Sequence, residues 1–445
     1  MILLKKVLLL GAGMVAGPHV TYLLDHGFHV TVASRTLNKA ENLIKNHPNG
    51  VAKEFDITKA SDDELDALVR ECDLAVSLLP YIYHVQVAKA CIKSKKHMVT
   101  TSYVSPEMKE LDSDAKEAGI IILNEIGVDP GIDHMSAQKI IDSVHERNGK
   151  VNSFKSYCGG LPAPEANTNP WGYKLSWSPR GVILAGRNAA RYKEDGNIVD
   201  IPGEDLFDHH STYPVKGVEG TYESYPNRNS LPYIDIYNIP EIKTMFRGTI
   251  RNAGWCATLK KVADTGFLDI EERDFPEDFT YRQLTNRLIG VAEDGNAKEA
   301  FMKKFNLPED SDIVKRFEWM GLFGEDKLPQ KKISPLDALC YQWEQHLLYS
   351  EGERDMLILV HEFEYELPEG KEKLTSTMVD FGIQDGDTSM SRTVGLPAAI
   401  GVRMILEGEI KDTGVHIPVK KSIYGPVLAE LSRLGIGFSD EIEKL

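Results

Sequence analysis

Over the first 125 residues, short apolar runs alternate with amphipathic stretches. Val7–Leu10 is continuously apolar, as expected of a strand buried on both faces. A small-residue turn, Gly11-Ala12-Gly13-Met14-Val15-Ala16, follows at once, and a helical pattern then runs through Leu24 to a stop near Gly27. Further strands are expected at His29–Ala33, Val51–Phe55, Leu74–Leu79, Met98–Thr101 and Ile120–Leu123. Helices are expected over 37–45, 61–70 and 83–94, and between Pro106 and Gly119. Ser61 followed by Glu64 has the spacing of a capping box, in which side chain and backbone satisfy each other at a helix start. Six strands separated by helices predict an α/β fold, a doubly wound parallel sheet of the Rossmann type.

After Glu125 the pattern changes. Glu125–His134 is turn-rich and follows the sixth strand. Ser156–Pro164 reads as a strand ending in a stiff loop. Residues 265–335 are charge-rich with helical period, as at Leu284, Leu288, Ile289 and Val291, and predict an inserted helical subdomain. Met356–Glu366 and Thr375–Gly382 alternate as two strands around a turn near Pro368-Glu369-Gly370, extending the sheet of a second domain. Ser389–Leu406 is a long helix, despite Gly395 and Pro397, and is expected to return to the first domain.

Charge narrows the function classes. With 51 Lys plus Arg against 67 Asp plus Glu, the net charge of -16 argues against a nucleic-acid partner. An anionic small molecule would need a local basic pocket. The five cysteines are scattered with no C-x-x-C pair, which fits a reducing, cytoplasmic setting. No apolar run reaches the ~18 residues of a membrane span, so no membrane association is expected. Met1–Leu10 is somewhat like a short secretory signal, but a first strand explains it better.

The glycine turn carries a mechanism. Gly11 allows a tight turn, Gly13 lets a pyrophosphate approach the backbone, and small Ala16 lets helix and strand pack closely. The pyrophosphate then meets free N–H groups at a helix N-terminus. The end of the second strand selects the cofactor. It reads Ser34-Arg35-Thr36, with no carboxylate for a ribose 2′-OH and an arginine able to pair with a 2′-phosphate, so NADP is preferred over NAD. Three polar strand ends converge on one rim: Leu78-Leu79-Pro80-Tyr81, Thr100-Thr101-Ser102-Tyr103 and the loop holding Asp129. Arg228, Arg247 and Arg251 are candidate carboxylate clamps. Asp129, Asp133 and His134 cluster in sequence but lack a supporting ligand set, so no metal is expected.

These segments, together with Asn124–His134, Ser156–Glu165, Tyr173–Ser178, Tyr225–Arg228 and Arg247–Arg251, closely resemble the saccharopine reductases, the NADP-dependent, glutamate-forming saccharopine dehydrogenases, over nearly the whole chain. The resemblance implies three parts: an NADP-binding Rossmann domain (1–125 plus 390–445), an α/β substrate-binding and dimerisation domain (126–265 plus 350–389) and a helical insertion (266–349). It also implies a homodimer. The cofactor would lie against Gly11, Ala12, Gly13, Met14, Val15, Ser34, Arg35, Thr36, Asp56, Ile57, Leu79, Thr101, Ser102, Val128, Asp129, Pro130 and Ser178. Substrate would contact Ser102, Tyr103, Asp129, Arg228, Thr249, Ile250 and Arg251. Departures are small: Val128 for the usual Leu, Asn229 for Asp, Ile250 for Leu and Pro179 for Ser.

The implied reaction joins L-glutamate to 2-aminoadipate 6-semialdehyde, with NADPH, to give saccharopine in lysine metabolism. Three carboxylates on saccharopine suit an arginine-lined pocket in an acidic protein. Asp129 and Tyr103 are the nearest candidates for the accompanying proton transfers, with water or the substrate amine as alternatives. One rival is a related imine-reducing enzyme coupling a polyamine or diamine to an aldehyde, against which the arginines count. A non-catalytic NADP-binding regulator is another.

Overall fold

The computed structural model describes residues 4–445. The chain first runs β1 (Lys6–Leu10), α1 (Gly17–Asp25), β2 (His29–Ser34), α2 (Leu37–Ile44), β3 (Gly50–Glu54), α3 (Asp62–Arg70) and β4 (Leu74–Ser77). It continues with α4 (His84–Ser94), β5 (His97–Thr100), α5 (Pro106–Glu110), α6 (Asp112–Ala118), β6 (Ile121–Leu123) and α7 (Ile132–Glu146). A second stretch holds β7 (Lys150–Pro162), α8 (Pro179–Ala185), β8 (Ala190–Glu194), β9 (Asn197–Ile201), β10 (Ser211–Thr212), β11 (Tyr222–Pro226), α9 (Pro232–Ile236), β12 (Thr244–Asn252) and α10 (Trp255–Thr265). Then come β13 (Arg273–Asp274), α11 (Tyr281–Ile289), α12 (Ala297–Phe305), α13 (Asp312–Trp319), β14 (Lys332–Ile333) and α14 (Pro335–His346). The tail adds β15 (Asp355–Leu367), β16 (Gly370–Phe381), α15 (Ser389–Leu406), β17 (Gly414–His416), α16 (Lys421–Arg433) and β18 (Ser439–Lys444).

Two compact units result. One holds residues up to Lys150 with Leu367–Gly370 and Met378–Asp440; the other holds Val151–Glu366, Lys371–Thr377 and Glu441–Leu445. Residues 126–150, expected with the substrate-binding part, thus cluster with the first unit, and the last five residues with the second.

The first unit is built on a sheet in the order β17-β6-β5-β4-β1-β2-β3. Its strand pairs are parallel. Val7–Leu10 is buried, as an apolar run covered by helices on both faces must be. The capping box at Ser61 and Glu64 forms. The three-residue β17 pairs with β6, and a strand that short leaves no periodic pattern to read. Helix α15 passes so close to α1 that a Cβ on Gly395 would lie 2.9 Å from the Val15 carbonyl oxygen. A glycine in mid-helix, normally unfavourable, is required there by packing.

The second unit carries a mixed sheet in the order β10-β11-β12-β7-β15-β16-β18, with the β8–β9 hairpin attached to β12. Strand β16 begins at Gly370, earlier than the alternation from Thr375 suggests, because its first residues are exposed on the hairpin. Trp171, Tyr173, Trp343, Phe301 and Phe317 pack into one core that joins the sheet side to helices α10–α14. Among the described residues no helix is long and apolar enough to cross a membrane.

Candidate functional site

In the first unit, sheet order reverses between β1 and β4, the place where open α/β sheets bind ligands beyond the carboxyl strand ends. Gly11 has φ 108°, and a Cβ there would lie 2.8 Å from the Leu78 carbonyl oxygen. Any larger residue would strain the turn. At Gly13 a Cβ would meet nothing within 4 Å, so the backbone there faces open space. Ala12 and Val15 are half-buried and Met14 is exposed. Helix α1 begins without a side-chain cap and has no acidic residue in its first turn. Its free N–H groups and dipole are left for an anion. These features fit a dinucleotide pyrophosphate.

At the end of β2, Ser34 is buried and its Oγ accepts the Thr36 N–H at 3.2 Å. Arg35 and Thr36 are exposed. The Asp56 carboxylate accepts the Thr58 N–H at 3.1 Å and its hydroxyl at 2.8 Å, which holds its pKa down. Ile57 is buried and Leu79 half-buried.

The rim carries a hydroxyl–carboxylate pair. The Tyr103 hydroxyl donates to Asp129 Oδ1 at 2.9 Å. Glu125, at φ 56°, holds the Tyr103 segment from both sides: its N–H donates to the Ser102 carbonyl at 3.1 Å and its carboxylate accepts the Val104 N–H at 2.9 Å. Its other oxygen lies 2.8 Å from His134 Nε2. Asp133 Oδ1 accepts the Gly131 and His134 N–H groups at 2.6 and 2.8 Å, so this carboxylate organises the loop. Val128 and the cis-linked Pro130 are buried beside Asp129. Thr101 and Ser102 are half-buried at the end of β5.

In the second unit, Ser178 is spent locally: its Oγ accepts the Gly181 N–H at 3.3 Å and caps α8. Arg228 is exposed at φ 55°, and its carbonyl accepts the Arg191 N–H at 3.0 Å. Arg247 is buried too, at 4% exposure, with its guanidinium 4.8 Å from the Tyr233 ring. Thr249 is half-buried and Ile250 fully buried on β12. Lys174 is buried and ion-paired with Glu353.

Arg251 differs in keeping an unmet buried donor. It is 6% exposed, and its guanidinium lies 5.3 Å from the Tyr173 ring and 5.4 Å from the Trp255 ring. Nη1 donates to the Ile250 carbonyl at 2.8 Å, while Nε finds no acceptor, nor does Trp255 Nε1. Glu223, opposite Arg251 in the β11–β12 ladder, turns its carboxylate oxygens to the Gly254 and Cys256 N–H groups. Among the described residues Arg251 has no ion-pair partner. A buried cation beside idle donors calls for an anionic oxygen. Trp255, and His84 beneath Ser102, were not singled out from the sequence; only the placement of His84 just past the fourth strand hinted at it.

The parallel sheet, glycine turn and carboxylate-free β2 end define a dinucleotide-dependent dehydrogenase with a second α/β domain. Residues 7–123 match the family described as "Saccharopine dehydrogenase NADP binding domain", and 127–436 match "Saccharopine dehydrogenase C-terminal domain". The chain is 43% identical over 450 residues, 99% of each chain, to the Schizosaccharomyces pombe saccharopine dehydrogenase [NADP(+), L-glutamate-forming]. The solved apo saccharopine dehydrogenase (L-Glu forming) of Saccharomyces cerevisiae superposes with a TM-score of 0.87 at 39% identity, covering 99% of this chain and 100% of that one. The chain belongs to the saccharopine dehydrogenase family. A Legionella pneumophila homospermidine synthase, at 10% identity and a TM-score of 0.57 over 99% of this chain and 91% of that one, shares the fold alone.

Proposed function

We propose that the chain catalyses the reversible, NADP-linked condensation of L-glutamate with 2-aminoadipate 6-semialdehyde to saccharopine, in lysine metabolism. The observation that carries the substrate class is Arg251, a buried cation with no carboxylate partner among the described residues, in a chain 43% identical to a saccharopine dehydrogenase. A carboxylate of the substrate satisfies it. A polyamine would leave that cation unpaired and repel it, which disfavours the rival reading.

The turn Gly11–Val15 would hold the cofactor pyrophosphate, and Ser34, Arg35 and Thr36 its 2′-phosphate. Asp56, Ile57, Leu79, Thr101, Ser102, Val128, Pro130 and Ser178 would complete its seat. When bound, NADPH supplies the hydride that reduces the imine of the two substrates. Ser102, Arg228 and Thr249–Arg251 bind and orient the carboxylates. Carbinolamine formation and dehydration move protons, and the Tyr103 Oη–Asp129 Oδ1 pair is built to hold one. Asp129→Asn should lower turnover about a hundredfold; a change under threefold in kcat would remove Asp129 from that role.

The family resemblance further supports a cytoplasmic homodimer, the helical segment 266–349 acting as an insertion in the substrate-binding part. Light scattering on the purified protein reads the dimer directly. The decisive assay mixes protein, glutamate, semialdehyde and NADPH, with NADH in parallel. Oxidation that needs both carbon substrates and strongly favours NADPH is the expected result. Consumption with a diamine in place of glutamate would overturn the substrate assignment.

A further inference from the structure

His84, the first residue of α4, sits beneath the rim, 4% exposed, between the ends of β4 and β5. Its Nδ1 lies 2.8 Å from Ser77 Oγ and its Nε2 lies 2.8 Å from Ser102 Oγ. Burial pushes the imidazole pKa down to about 4, so the ring is neutral at pH 7, with one nitrogen donating and the other accepting.

Two neighbours decide which. The Thr100 hydroxyl gives its one hydrogen to the Ser77 carbonyl at 2.9 Å, so towards Nε2, 3.4 Å away, its oxygen only accepts. Ser77 is fully buried, and its Oγ has no other partner among the described residues. If Nδ1 carried the hydrogen, the Ser77 hydroxyl hydrogen would be stranded in the interior, which proteins avoid. With the hydrogen on Nε2, Ser77 donates to Nδ1, Ser102 Oγ receives Nε2–H, and the one uncommitted hydrogen belongs to half-buried Ser102 at the rim.

We infer that His84 is a positioning residue: its Nε2–H tautomer occupies the Ser102 oxygen as acceptor and so commits the Ser102 hydroxyl to donate to an anionic or carbonyl oxygen of the ligand. The inference rests on the reading that Ser102 faces ligand. A carboxylate of the substrate and a polar oxygen of the cofactor share that chemistry, and the kinetics separate them.

The first test is spectroscopic. Long-range 1H–15N correlation on protein labelled at histidine, with the His84 signals assigned by their loss in His84→Gln, should show the hydrogen on Nε2 at pH 7. A hydrogen on Nδ1, or on both nitrogens, overturns the inference whatever Ser102 does. The second test is kinetic. Ser102→Ala should raise either the KM for saccharopine or the Kd for NADPH about tenfold, and the affected constant identifies the ligand. His84→Asn, whose amide replaces Nδ1 but does not reach Ser102, should raise the same constant about fivefold with kcat little changed. His84→Gln, whose amide N–H2 replaces Nε2–H, should restore it to within about twofold. If Ser102→Ala raises a constant that folded His84→Asn leaves alone, the positioning role is wrong. If Ser102→Ala moves neither constant, the ligand assignment of Ser102 falls, and the spectrum judges the tautomer separately.

Discussion

The glycine turn after β1 and the buried Arg251 guanidinium both offer positive potential, and they do so by opposite means. The turn is six consecutive residues, Gly11–Ala16, exposed at Gly13 and without a formal charge. It uses backbone N–H groups, which water satisfies when no ligand is present. Arg251 places a full charge at 6% exposure, flanked by aromatic rings from Tyr173 and Trp255 and opposite Glu223 across a ladder. Water cannot fully solvate that guanidinium, so its stability is tied to packing. A backbone-built anion site is thus generic and self-contained. A side-chain-built one is specific, and depends on residues far apart in sequence.

Perturbing each side in turn tests the contrast. The largest effect is expected at Arg251. Arg251→Lys keeps the charge but loses the fork and the stacking, so kcat/KM for saccharopine should fall roughly a thousandfold while NADPH affinity, read by fluorescence titration, stays within about twofold. A parallel loss of NADPH affinity would show that the two sites are not separable.

Next comes acid. Burial holds His19 and His84 in the first unit at about 4, against an ordinary 6.5. The unfolded chain binds protons that the folded chain refuses, so stability falls as pH drops from 6.5 towards 4, by about 2 kcal/mol per histidine at pH 5. Urea midpoints at pH 7 and 5 measure this, and His19→Gln should remove about 2 kcal/mol of the drop.

Arg35→Ala removes a side chain that stands on the exposed edge of the turn's own unit. The preference for NADPH over NADH in kcat/KM should shrink about 10–100-fold. An unchanged ratio would assign 2′-phosphate recognition to the backbone and hydroxyls alone. The smallest effect is at Gly395→Ala, where the new methyl meets the Val15 carbonyl oxygen at 2.9 Å and the backbone N of His19 at 3.2 Å. A stability loss of about 1–3 kcal/mol, read by calorimetry, is expected, with weaker NADPH binding as the turn shifts.

Much of the first unit could be read directly. Buried parallel strands are largely apolar, so β1, β4, β5 and β6 announce themselves, and the Ser61 capping box needs only local spacing. What lacked a signal was short or polar: β17 is three residues long, β8–β9 turns at Asp195-Gly196 within polar sequence, and the start of β16 is exposed. Among candidate site residues, the glycines and Arg35 could be proposed from sequence because a run of neighbours makes that candidate site. Ser178 was placed with the cofactor, and the structure shows what else it does, capping α8.

By itself, then, the sequence determined the dinucleotide-binding fold, the cofactor's phosphate preference and the rim segments, since each depends on residues within one strand–turn–helix. Only the tertiary structure decided that Arg247 and Arg251 are buried while Arg228 is not, which of them keeps an unmet donor, why Gly395 must be small, and that a histidine lies beneath Ser102. Burial and partner choice are set by segments distant along the chain, and no local pattern encodes the desolvation that makes Arg251 demanding or His84 neutral.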